Sequence, residues 1–172
     1  MISSDAQVMV AEFDESGVMA AGLTPRETVE QLALGKAKAS SKAFGAPAER
    51  VYVGGDTVVV SPDGEIMGKP KGRADAVRML KNFSGRTHQV ITGVALVSAD
   101  KERSFSVCTD VTFFELTDEE IGAYVDTDEP YDKAGAYGIQ LRGGLFVREI
   151  HGDYSNVVGL PIAVLWRELQ NF

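Results

Sequence analysis

Apolar residues recur at helical spacing in some stretches of this chain and alternate at strand spacing in others. Val29, Leu32, Ala33 and Ala37 share one stripe and predict a helix that runs to about Lys42. Its start is well marked: Thr24 can cap, Pro25 suits the first helical position, and Glu27 completes a capping box. Residues 71–83 repeat the pattern with Ala74, Val77, Leu80 and Phe83 on one side, and Ser84-Gly85 supplies a left-handed stop. Residues 90–98 and 104–115 read as strands joined by the polar turn 99–102. In the second, Phe105, Val107, Val111 and Phe113 face one way and Ser104, Ser106, Asp110 and Thr112 the other, which predicts a long antiparallel hairpin. Residues 7–13 read as a further strand with Val8, Val10 and Phe13 inward, and residues 145–150 as another. Thr117 and Glu120 form a second capping box, opening a short helix through Tyr124 and Val125. Asn156 is a candidate cap for a mostly apolar helix over 157–169, a pattern that suits burial in the core or against a partner chain.

The stretch 51–70 is organised differently. Residues 51–53 and 58–60 read as strand, interrupted by Gly54-Gly55-Asp56. The glycines allow close approach of another segment or a ligand. A carboxylate follows inside an apolar run, where an uncompensated charge is costly. Pro62-Asp63-Gly64 reads as a tight turn that returns Gly68-Lys69-Pro70 beside that carboxylate. Two readings stand: a bulge with a satisfied Asp, or an acid and a lysine paired to take a metal-bound phosphate.

Composition narrows the choice. The 172 residues suggest one domain with room for a sizeable core. A formal net charge of −8 argues against a general nucleic-acid surface, which needs a basic footprint. Cys108 has no second cysteine to pair with, which points to a reducing compartment, and it reads as a small buried strand residue. The first residues show no basic, apolar leader, and no stretch approaches the length of a membrane span. A cytoplasmic protein without a membrane partner is expected.

Several polar residues stand out. Asp14-Glu15 follows the expected first strand, where a carboxylate pair can hold a divalent metal or simply form a solvated turn. Lys36 falls on the apolar stripe of its helix, so it either snorkels to water or meets an anion such as phosphate. Residues 129–140 mix charge, glycine and tyrosine without periodicity, as functional loops often do. Within them Lys133 could hold phosphate, and Gln140 could read a base edge, since its amide both donates and accepts. His88 reads as a strand-edge residue rather than a catalytic one.

Taken in order, these segments resemble the Maf (septum-formation) family of nucleotide pyrophosphatases. The matching pieces are Phe13-Asp14-Glu15, Leu32-Ala33 with Lys36-Ala37, Gly55-Asp56-Thr57-Val58, Gly68-Lys69-Pro70, Ser84-Gly85-Arg86-Thr87-His88 and Thr92-Gly93-Val94. Asp132-Lys133-Ala134-Gly135-Ala136-Tyr137, Gly138-Ile139-Gln140, Gly152-Asp153-Tyr154 and Asn156-Val157-Val158-Gly159-Leu160-Pro161 complete the set. The family's opening Ser-x-Ser-Pro-Arg-Arg loop has no counterpart among these residues, and Ser3-Ser4 does not replace it; two readings stand, a shortened form that lacks the first strand and phosphate loop, or a start that lies upstream of the residues shown.

The resemblance implies an α/β fold related to the inosine-triphosphate pyrophosphatases. That fold is a long, curved, mixed sheet with flanking helices and a cleft between two lobes of one domain. The implied reaction is hydrolysis of a nucleoside triphosphate to the monophosphate and pyrophosphate. In it Asp56 acts as general base, Glu15 and Asp56 bind Mg²⁺ or Mn²⁺, and Lys36, Lys69 and Lys133 hold the phosphates. Thr57 and Gln140 resemble the branch that prefers dTTP and UTP. A homodimer is also expected. The alternatives are a pyrophosphatase for ITP or 7-methyl-GTP, or a nucleotide-binding cell-division regulator with little catalysis.

Overall fold

A computed structural model describes residues 6–45, 47 and 49–172. The pair Ser3-Ser4 lies outside the described residues. The helices are α1 (Ser16–Met19), α2 (Pro25–Phe44), α3 (Arg73–Phe83), α4 (Asp118–Val125), α5 (Tyr154–Val158) and α6 (Ile162–Gln170). The strands are β1 (Tyr52–Val60), β2 (Ile66–Met67), β3 (Thr87–Val97), β4 (Glu102–Phe113) and β5 (Val147–His151). They form one five-stranded sheet in the order β2-β1-β3-β4-β5. β1 pairs antiparallel with β2, setting Val59 opposite Met67, and β4 pairs antiparallel with β5, setting Val111 opposite Ile150. Short 3-10 turns occupy Glu129–Asp132, Ala134–Ala136 and Arg142–Phe146.

The chain divides into two compact units. Of the described residues, the first holds 6–45, 47, 49–56, 92–106 and 160–172. Here Ala33 and Ala37 of α2 pack on Tyr52, Ala95 and Val97, and Leu165 of α6 packs on Val94 and Leu96. The second unit holds residues 57–91 and 107–159. Its core joins Leu80 and Phe83 of α3 to Val59, Phe113, Ile121, Tyr137 and Phe146.

Both expected capping boxes are present, with Thr24 and Thr117 each accepting from the backbone of the glutamate three residues on. Several expectations are corrected. Residues 6–15 form no strand, and Val8 and Val10 are 98% and 86% exposed. Alternation makes a strand only where a neighbouring edge offers hydrogen bonds. Gly54-Gly55-Asp56 does not interrupt β1, which runs without a break from Tyr52 to Val60. The expected helix over 157–169 is two helices, because Gly159 takes φ +123° and Pro161 supplies the N-cap of α6. Asn156 lies inside α5, buried, while Asp153 does the capping. Of the last helix only Leu165 is buried, and Ile162 is 49% exposed. His88 is not at an edge: it lies on β3, between β1 and β4, and is 1% exposed. Cys108 is half-buried on β4 rather than fully enclosed.

Candidate active site

In the first unit, a close approach of helix to strand builds a charged cluster. A Cβ at Gly54 would overlap the Ala33 carbonyl oxygen and crowd Ala37, and one at Gly93 would overlap the Val29 carbonyl. Glycine at both places therefore lets α2 settle on β1 and β3. Asp56 lies two residues beyond Gly54 on β1, and so on the same face. Lys36 of α2 lies next to Ala37, and its ammonium donates to Asp56 Oδ1 at 2.5 Å. A third glycine serves the same end. A Cβ at Gly35 would overlap the Phe13 ring, so the ring lies against α2. Two residues on, Glu15 Oε1 meets the same Lys36 Nζ at 2.9 Å.

Lys36 thus sits between two carboxylates, with side-chain exposures of 32% for Lys36, 15% for Asp56 and 48% for Glu15. Burial pushes the Asp56 carboxyl above its ordinary range, although the Lys36 hydrogen bond and charge pull it back. For Lys36, burial works against the ammonium, but its bonds to Asp56 and Glu15 outweigh that and hold it above the usual lysine value. Asp14 turns away and accepts from the Ser16 backbone N–H.

The second unit contains a cavity of about 290 Å³, lined in part by Thr57, Lys69, Lys133, Tyr137, Gln140 and Gly159. That volume is near the lower end of small-molecule pockets, roughly 300–1,000 Å³. Its walls combine apolar surface with a few convergent polar groups, the usual make-up of such sites. Lys133 Nζ contacts both oxygens of Asp132 at 2.6 and 2.7 Å. The Lys133 bond, then the charge of Lys69, helps hold Asp132 below the ordinary carboxylate range. Tyr137, a lining residue, belongs to an aromatic group. His88 Nε2 and the Tyr137 hydroxyl are 2.8 Å apart, and Phe83 stacks on His88 at 4.2 Å.

The structure brings Lys36, Asp56 and Glu15 together in one unit and Thr57, Lys69, Lys133 and Gln140 around one cavity in the other. Asp56 and Thr57 are consecutive in β1. Among the described residues, no three or more His, Cys, Asp and Glu side chains converge as a metal cage. Sequence reasoning gave no role to Asp132 or to the His88–Tyr137 pair, although they stand in the matched segments. Asp132 carried a hint, standing directly before Lys133. No helix of the described residues is long and apolar enough to cross a membrane.

A dTTP/UTP pyrophosphatase of Bacillus cytotoxicus is 49% identical over 166 residues, covering 96% of this chain and 84% of that protein. Relatives of the same name from Bacillus anthracis and Bacillus cereus are 46% identical over the same shares of each chain. The family model described as Maf-like protein matches residues 1–172, and the chain belongs to that family.

Proposed function

We propose that this chain is a nucleoside triphosphate pyrophosphatase that hydrolyses dTTP and UTP, together with modified pyrimidine triphosphates, to the monophosphate and pyrophosphate. The observation that carries this reading is the half-buried Asp56 carboxylate on β1, held by Lys36 and followed in the chain by the pocket residue Thr57. The name shared by relatives at 46–49% identity supports the same substrate class.

Asp56 accepts a proton from a water molecule. The water oxygen bonds to the α-phosphorus, the bond from that phosphorus to the α,β-bridging oxygen breaks, and pyrophosphate leaves. A carboxylate raised by burial is a better proton acceptor than a solvated one. Lys36 keeps Asp56 ionised and oriented in the resting protein, and Lys69 and Lys133 offer ammonium groups to phosphate oxygens. Gln140 pairs with the carbonyl and N–H of the base, and Thr57 lines the same cavity.

Glu15 and Asp56 suit a hard divalent cation, because both already aim carboxylate oxygens at one cationic centre, the Lys36 ammonium. These two residues would hold such a cation, since Mg²⁺ is commonly bound through one or two protein carboxylates. When bound there, Mg²⁺ or Mn²⁺ supplies neutralisation of charge on the phosphate oxygens.

Hydrolysis of dTTP in ¹⁸O-water tests the reaction. Label in the nucleoside monophosphate is expected. Label in pyrophosphate, or release of orthophosphate, contradicts attack at the α-phosphorus.

A further inference from the structure

We propose that Glu129 is a positioning residue that fixes the turn carrying Gln140, and so sets which base the pocket accepts without touching it. The inference rests on Gln140 reading the base.

Residues 138–144 double back tightly. Leu141 N donates to Gly138 O at 3.2 Å, closing a turn with Ile139 and Gln140 at its tip, and Gly144 N donates to Leu141 O at 3.1 Å. Glycines make this possible. A Cβ at Gly143 would sit 2.9 Å from Gly138 N, from Gly138 O and from the Tyr124 hydroxyl, and one at Gly144 would overlap the Ile139 carbonyl. Glu129 holds the fold shut. Its Oε1 accepts from Gly143 N at 2.9 Å and from the Tyr124 hydroxyl at 3.0 Å, while Oε2 accepts from Arg142 N at 3.1 Å. The backbone of Glu129 is itself tethered, its N–H donating to Thr127 Oγ1 at 3.3 Å. Thr127 Oγ1 in turn donates to Tyr124 O at 2.7 Å. Three donors converge on one side chain, which only an acceptor-only carboxylate satisfies in full. A glutamine there would turn an NH₂ group toward one of the N–H donors.

The consequence is a rule of distance. Thymine and uracil present a carbonyl beside a ring N–H, and hypoxanthine presents the same pair on a larger ring. A side-chain amide can bind either, so the choice between them depends on where the amide sits. A turn locked by Glu129 keeps Gln140 close enough for the pyrimidine only.

Glu129→Gln is compared with the parent and with Gln140→Ala, using dTTP and ITP. For Glu129→Gln we expect KM for dTTP to rise about tenfold, the change that loss of one charge-assisted hydrogen bond produces. Its kcat should stay within about threefold, since Glu129 touches no reacting atom. The dTTP-to-ITP ratio of kcat/KM should fall, and amide exchange of residues 138–144 should quicken while that of β3 does not. A merely structural role would lower Tm and leave the ratio unchanged. If Gln140→Ala loses discrimination and Glu129→Gln keeps it, the positioning role is wrong and the reading of Gln140 stands. If Gln140→Ala keeps discrimination, the reading of Gln140 fails and takes this inference with it. Should Glu129→Gln fail to fold, Tyr124→Phe carries the test. It removes one donor and leaves both N–H bonds, so exchange at 138–144 should quicken and the ratio fall by a smaller factor, and an unchanged ratio overturns the proposal.

Discussion

Asp56 is a carboxylate that the fold tolerates at a cost. Burial raises its proton affinity, and Lys36 offsets part of that penalty. A carboxyl raised in the folded state stabilises the fold at acid pH, and that contribution is lost as pH rises through the raised value. At neutral pH Asp56→Asn therefore removes an unfavourable charge while leaving Lys36 its Glu15 partner. Turnover should fall by about 10²–10⁴, the usual range for loss of a general base. Thermal melting should show Tm lowered by no more than about 4 °C, roughly the shift of a 1 kcal/mol loss in a chain of this size. A variant with parental turnover would remove Asp56 from the chemistry. His88 carries the opposite sign. Burial depresses its imidazole to about 3, so it stays neutral in the folded protein while the unfolded chain takes up a proton near 6.5. Stability is then complete above about pH 6.5 and falls on acidification, by up to about 1.4 kcal/mol per pH unit. Denaturant melts between pH 7 and 4 should show that slope, and His88→Phe should flatten it. An unchanged slope would mean that other groups govern acid sensitivity.

At the scale of elements, the site depends on how closely α2 approaches the sheet. Gly54→Ala places a methyl group against the Ala33 carbonyl and Ala37. Lifting the helix should cost about 1–3 kcal/mol, the range for overpacking. It should also pull Lys36 away from Asp56, so turnover should drop beyond what the lost stability explains. Chemical denaturation and pyrophosphate release on the same samples check both, and a variant that melts early yet turns over normally would uncouple the helix approach from the site. This packing also decides what could be read from residues alone. Lys36 on the apolar stripe was legible, because a cation among Val29, Leu32 and Ala37 demands an explanation. The unbroken β1 was not, because glycine pairs read as interruptions until the helix lying on Gly54 is seen. The break between α5 and α6 had its signals in Gly159 and Pro161, overridden by the apolar run around them. The coil at residues 6–15 defeated alternation for the opposite reason. Val8 and Val10 have the pattern of a strand, yet the chain there pairs with no edge and is anchored by Phe13 against Gly35.

For the whole molecule, an acidic chain still handles a polyanion by concentrating its few lysines. The net charge is −8, yet Lys36, Lys69 and Lys133 stand at the two candidate sites. In the resting protein each site holds its own counterions, Glu15 and Asp56 on Lys36 and Asp132 on Lys133. The ordered motifs made these residues legible from sequence. The partners of Asp132 and Glu129 were not, because they are set by how residues 129–144 fold on themselves. Pyrophosphate release with Mg²⁺ from dTTP, UTP, ITP, 7-methyl-GTP and ATP, measured side by side, tests whether this chain hydrolyses pyrimidine triphosphates. Turnover led by dTTP and UTP is the expected result. Turnover led by ITP, 7-methyl-GTP or ATP, or no release from any of the five, would contradict it.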